Sequence, residues 1–148
     1  MFRSTKTYAD LPCAHRQWRH PGHCAWIHGY SRSFTFTFAA THLSAEQFVM
    51  DFGDLKALKA WLDDHFDHTL LICADDPERP RFEAMHRDGL CKLVVLPNVS
   101  MEATAEFVWR FAHDLVQRQT AGRVRLVRVE CRENAKNAAT YTAPGAIG

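Results

Sequence analysis

A chain of 148 residues with 18 basic and 17 acidic side chains, formal charge +1, has no electrostatic basis for gripping nucleic acid or an anionic membrane surface. Its length suits one domain spanning residues 1–148, and no apolar run approaches the roughly 20 residues that a spanning helix needs. The polar first ten residues do not read as a secretory leader, and five cysteines at irregular spacing, with no CxxC pair, argue against a disulfide framework or a cysteine zinc cage. A cytoplasmic protein with free thiols, acting on a small molecule, is expected.

In chain order, Phe2, Thr5, Thr7 and Tyr8 are β-compatible and predict a first strand ahead of Pro12. Residues 15–30 show neither helical nor strand period and are broken by Pro21, Gly22 and Gly29, which predicts a long loop of the kind that carries function. Phe34, Phe36 and Phe38 then alternate with Ser33, Thr35 and Thr37. That period of two over residues 31–40 predicts a half-buried antiparallel strand with its phenylalanines in the core. Asp51 is placed to cap a helix in which Leu55, Leu58, Trp61, Leu62 and Phe66 recur every three or four residues, ending near Asp67.

Residues 74–89 are polar and contain Pro77 and Pro80, so they read as an excursion with one short helix at 82–87. Residues 92–96 predict a strand stopped by Pro97 and Asn98. Ser100 caps a second amphipathic helix bearing Ala103, Phe107, Val108, Phe111 and Leu115 on one face, with Gly122 at its end. Val124, Leu126 and Val129 predict a strand ending at Glu130, a short extended piece lies near Thr140 and Tyr141, and residues 143–148 are expected to fray. The order strand, strand, helix, strand, helix, strand predicts an α+β fold, an antiparallel sheet with both helices on one face.

The chemistry-bearing residues gather just ahead of the alternating strand: His15 in Ala-His-Arg, then Cys24, His28, Gly29 and Tyr30. Arg16, Arg19 and Arg32 flank this cluster and can receive an anionic group, although arginines in a loop are more often simply solvated. His20, His42, His65, His86 and His113 read as surface residues.

Taken together, several stretches resemble the 6-pyruvoyl- and 6-carboxy-tetrahydropterin synthase family, whose members have the tunnelling fold. They are Ala14-His15-Arg16, Gly22-His23-Cys24, His28-Gly29-Tyr30, the segment 49–56 that opens the first long helix, Phe66-Asp67-His68, the segment 94–102 and Val127-Arg128-Val129-Glu130. The resemblance implies a catalytic zinc held by His15, His28 and the residue at position 30. There the family's histidine is replaced by Tyr30, whose phenol has an ordinary pKa of about 10 and ligates well only after losing its proton. Three arrangements follow: zinc on His15 and His28 with a substitute such as His23, tyrosinate ligation, or a weakened or absent metal.

Cys24 stands four residues before His28, the spacing of the 6-carboxy-type enzymes of bacterial queuosine synthesis. The same resemblance makes Cys24 the proton acceptor, with Asp67 and His68 as its partner system. It makes Glu130 the carboxylate that accepts the paired N–H groups of a pterin's amidine edge, and it puts Ser100 and Glu102 at the substrate. The implied reaction converts 7,8-dihydroneopterin triphosphate to 6-carboxy-tetrahydropterin with loss of triphosphate and acetaldehyde. The implied assembly is a homo-hexamer, two trimers face to face whose sheets close into a β-barrel with sites between subunits. The alternative is a paralog that binds a pterin with altered or lost catalysis because of Tyr30.

Overall fold

Phe34, Phe36 and Phe38 are fully buried, as their alternation demands. In the computed structural model, which describes residues 1–146, the elements in chain order are β1 (Phe2–Leu11), β2 (Cys13–His15), β3 (Arg32–Ala40), α1 (Lys56–Phe66), β4 (Thr69–Cys73), α2 (Arg79–Arg87), β5 (Leu93–Leu96), α3 (Met101–Thr120), β6 (Arg125–Arg132) and β7 (Ala138–Thr142). An antiparallel sheet runs in the order β1-β3-β6-β7, with Tyr8 opposite Phe34 and Phe36 opposite Val129. Its apolar face shares one core with α1, through Leu58, Leu62 and Phe66, and with α3, through Val108, Ala112 and Val116. Trp61 and Phe111 lock the two helices together, with rings stacked at 4.3 Å and only 4° from parallel. Each large side chain buried in this way contributes about 1.5–3 kcal/mol.

The local signals act where they were expected. Asp51 accepts a hydrogen bond from the Gly53 amide at 2.8 Å, which starts a 3₁₀ turn that runs on into α1. Ser100 Oγ accepts from the Ala103 amide at 3.1 Å and caps α3. At the other end of α3, Ala121 (φ 48°) takes the left-handed turn one residue ahead of Gly122.

The antiparallel sheet accounts for only part of the architecture. Residues 69–73 had no element assigned to them, yet they form β4, the centre of a second, parallel sheet in the order β2-β4-β5. Thr69, Leu70, Leu71, Ile72 and Cys73 are all buried. A strand covered on both faces has no alternation to read, which is why a period-two search passes over it. The excursion builds α2, longer than predicted, and Phe82 on α2 packs against Leu70 and Ile72 in a small second core. The expectation of two helices on one antiparallel sheet is therefore corrected to three helices and two sheets.

Three smaller corrections follow. Strand β6 continues past Glu130 to Arg132. Ala143 does not fray, since it is buried and its amide donates to the Val127 carbonyl at 2.8 Å; Ile147 and Gly148 lie outside the described residues. His65 and His113 are only partly exposed, packed against Trp61 and Trp109 with ring centres 4.2 and 4.6 Å apart. Among the described residues, no helix is long and apolar enough to cross a membrane.

Candidate active site

The short strand β2 runs parallel to β4 and delivers His15 to the edge of the functional loop, where it pairs with His28 through two backbone hydrogen bonds of 2.7 and 2.9 Å. The two imidazoles lie 4.5 Å apart between ring centres. Gly29 makes this approach possible. Its φ of +145° disfavours other residues, and a Cβ there would lie 2.8 Å from the Cys13 carbonyl oxygen and 3.1 Å from His15 Nδ1. His28 Nδ1 sits 2.6 Å from the Trp26 carbonyl and donates its proton there, so in the neutral ring Nε2 is the acceptor. His15 Nδ1 is buried without a hydrogen-bond partner.

Burial, then the charges of Arg32 and His28, pushes the His15 pKa down to about 3 and keeps the imidazole neutral. In the unfolded chain it takes up a proton near 6.5, so between pH 6.5 and 3 the unfolded state binds more protons and stability falls as pH falls. For chelator-treated protein, thermal unfolding should show the wild type losing about 5 °C more than His15→Gln between pH 7.5 and 4.5. Equal losses in the two proteins would refute a neutral, buried His15.

A cleft of about 250 Å³ opens beside these histidines. His15, Cys24 and His28 line it together with Ser100, the N-cap of α3, and Glu102 in the first turn of that helix. Cys24 sits in a one-turn 3₁₀ helix, His23–Ala25, and is partly exposed. Cys13, Cys73 and Cys131 are buried thiols, and burial raises all three pKa values, to about 11 for Cys13 and about 12 for Cys131. Gln17 ties the walls together: its amide donates to the Cys24 carbonyl at 2.9 Å, and its side chain donates to Asn98 at 2.8 Å. Asn98 in turn accepts from the Ser100 amide at 2.9 Å. Sequence reading passed over Gln17, because its partner Asn98 is 81 residues away.

Arg32 and Glu133 also line the cleft. Glu133 does not figure in the sequence reading. Because β6 runs to Arg132, the mouth of the strand falls at Glu133 rather than at Glu130. Glu130 does not line the cleft; its carboxylate accepts from Arg132 Nε at 3.1 Å on the same strand. The missed signal was the glutamate-asparagine pair, Glu133 and Asn134, that follows β6 and opens the turn into β7.

Several predicted residues stand elsewhere. Tyr30 is 74% exposed and does not line the cleft. Neither do His23, Asp67 and His68, whereas His20, read as a surface residue, does. His68, in the left-handed region at φ 58°, points out of the chain with its side chain 84% exposed and its Nδ1 2.5 Å from Asp67 Oδ1. Arg16 is not solvated: both carboxylate oxygens of the buried Asp76 accept from it at 2.7 Å. Burial opposes ionisation of Asp76, but the hydrogen bonds from Arg16 and the Glu78 amide outweigh it, and the carboxyl stays below its ordinary range. Arg19 pairs with Asp75 at the surface, and Arg32 is buried to 1% exposure. A larger cavity of about 380 Å³ lies between α2 and the Trp26 loop, but its wall is mostly apolar and gathers no comparable set of reactive groups.

This arrangement of sheets and helices is that of the tetrahydropterin synthases. An uncharacterized protein of Wolinella succinogenes superposes with a TM-score of 0.80 at 19% identity, over 95% of this chain and 97% of that one. The 6-pyruvoyl tetrahydropterin synthase of Plasmodium vivax superposes with a TM-score of 0.65 at 13% identity, over 95% and 98% of the two chains. At these identities the likeness is one of fold. The sequence goes further: the chain matches the 6-pyruvoyl tetrahydropterin synthase family over residues 5–144 and belongs to it.

Its curated relatives are of the bacterial 6-carboxy type. A 6-carboxy-5,6,7,8-tetrahydropterin synthase of Rickettsia typhi is 37% identical over 70 residues, 47% of this chain and 51% of that protein. The matched segment thus spans about half the length of the Rickettsia relatives. A protein of the same name from Aquifex aeolicus is 29% identical over 124 residues, 80% of this chain and 75% of its own.

Proposed function

We propose that the chain is a lyase of the 6-carboxy-5,6,7,8-tetrahydropterin synthase type, converting 7,8-dihydroneopterin triphosphate in the route to queuosine and other 7-deazapurines. One observation carries this reading: a thiol, three imidazoles and two carboxylates, delivered by separate segments of the chain, line one cleft. Glu133 is suited to the paired N–H groups of a pterin's amidine edge, a match that a carboxylate makes with both oxygens. Cys24 is the one partly exposed thiol on the cleft and is placed to take a proton from the substrate side chain.

His15 and His28, one neutral and unpartnered, the other with Nε2 bare, fit a zinc ion; Tyr30, outside the cleft, does not supply the third donor. Zinc held there would contribute polarisation of a substrate oxygen. The exposed Asp67–His68 pair is assigned to the cleft of a neighbouring subunit in a homo-hexamer of two trimers, and the open edges of β1 and β7 suit such barrel closure. Five free thiols fit a cytoplasmic setting.

The reading is tested by incubating the protein with 7,8-dihydroneopterin triphosphate and separating the products. Acetaldehyde, triphosphate and the 6-carboxy pterin should appear in equal amounts. The position of Tyr30 favours a second reading, pterin binding without turnover. Pterin binding with none of these products, in zinc-supplemented protein, would replace the first reading with the second.

A further inference from the structure

Arg32 opens β3 and, at 1% exposure, is the bulkiest polar side chain in the interior. Arginine is almost never buried to this degree unless it is paired, because an uncompensated buried charge is strongly destabilising. Its bonds are few. Nη1 donates to the Ser31 carbonyl at 3.3 Å and lies 3.8 Å from Glu133 Oε2, and Nε is buried without a partner. Among the described residues, Glu133 is the one carboxylate within ion-pair distance of this guanidinium.

Glu133 is held from two sides. Asn137 Nδ2 donates to Oε1 at 3.0 Å while Arg32 faces Oε2. The Glu133 side chain keeps 22% of its surface exposed and lines the cleft, whereas Arg32 offers a ligand almost no surface. An arginine in this place acts through the carboxylate in front of it. A carboxylate held in this way presents two acceptor oxygens side by side.

We infer that Arg32 is a positioning residue: its buried guanidinium holds the Glu133 carboxylate aimed into the cleft, so that the site selects heteroaromatic ligands with two adjacent N–H donors, the 2-amino-4-oxo-pyrimidine edge of a pterin. This rests on the pterin reading given above. It also departs from the simpler use of a cleft arginine as a receiver of the substrate's phosphates, because a side chain this deeply buried does not meet a triphosphate.

The experiment is fluorescence titration of neopterin into full-length wild type, Arg32→Met, Arg32→Lys, Glu133→Gln and the double variant R32M/E133Q, each first checked for fold by circular dichroism. Arg32→Met and Glu133→Gln should each weaken binding about 30-fold. The double variant should bind no more weakly than Glu133→Gln, and Arg32→Lys should recover most of the loss. Wild-type affinity in folded Arg32→Met, or additive losses in the double variant, would overturn the inference.

Urea unfolding of the same proteins gives a readout that needs no ligand. Glu133→Gln leaves Arg32 without its anion, so R32M/E133Q should have the higher midpoint of the two. A midpoint in the double variant equal to or below that of Glu133→Gln would refute the pairing even if neopterin binds. If the wild type does not bind neopterin while the urea result holds, the pterin reading fails and the Arg32–Glu133 pair stands.

Discussion

Replacement of Cys24 by alanine is expected to lower turnover of 7,8-dihydroneopterin triphosphate by about a thousandfold while leaving neopterin affinity within about threefold, since a positioned base is worth roughly 10²–10⁴ in rate. The size of the effect follows from the placement of the thiols. Cys24 is partly exposed on the cleft beside His15 and His28, whereas Cys13, Cys73 and Cys131 are buried with their pKa values raised and offer no substitute base. The side chain sits in a short turn rather than in the core, so the fold should not suffer. The proper companion is His68→Asn. Residue 68 has φ 58°, a conformation that asparagine adopts more readily than alanine, so lost activity there is less confused with backbone strain. Wild-type rates in Cys24→Ala would remove the thiol from the reaction.

Tyr30→His is expected to raise zinc content from well below one ion per chain to near one, read by elemental analysis after purification without chelator. Catalytic zinc sites use three protein ligands and keep one position open. The cleft presents two imidazoles whose geometry suits ligation, held by mutual backbone bonds and by the Trp26 carbonyl, and it lacks a third at position 30. Imidazole is neutral near pH 7 and shorter than phenol, which must lose a proton near pH 10 before it binds a metal well. Near-stoichiometric zinc in the wild type would mean that a side chain other than Tyr30 completes the site, and His20, on the same cleft, is the first to examine. A Tyr30→His protein no richer in zinc than wild type would place residue 30 out of reach of the two imidazoles.

The sequence by itself determined the parts of this protein whose signals are local. The period of two in residues 31–40 depends only on a strand's alternating faces, and the caps at Asp51 and Ser100 depend on side chains bonding amides two or three residues on. The cluster of His15, Cys24 and His28 was legible because its members lie within 14 positions of one another. Tertiary structure alone decided what depended on distant partners. Strand β4 carries no period because both of its faces are covered, and Arg16 looked available until Asp76, 60 residues away, took both ends of its guanidinium. The strand-end carboxylate that lines the cleft is Glu133 because pairing with β3 and β7 carries β6 to Arg132. Arg32, four residues after His28 and read as able to receive an anion though more often solvated, is buried because the fold sets a carboxylate 101 positions later in front of it. Side-chain spacing reports the faces of an element, and only the packed chain reports which faces meet.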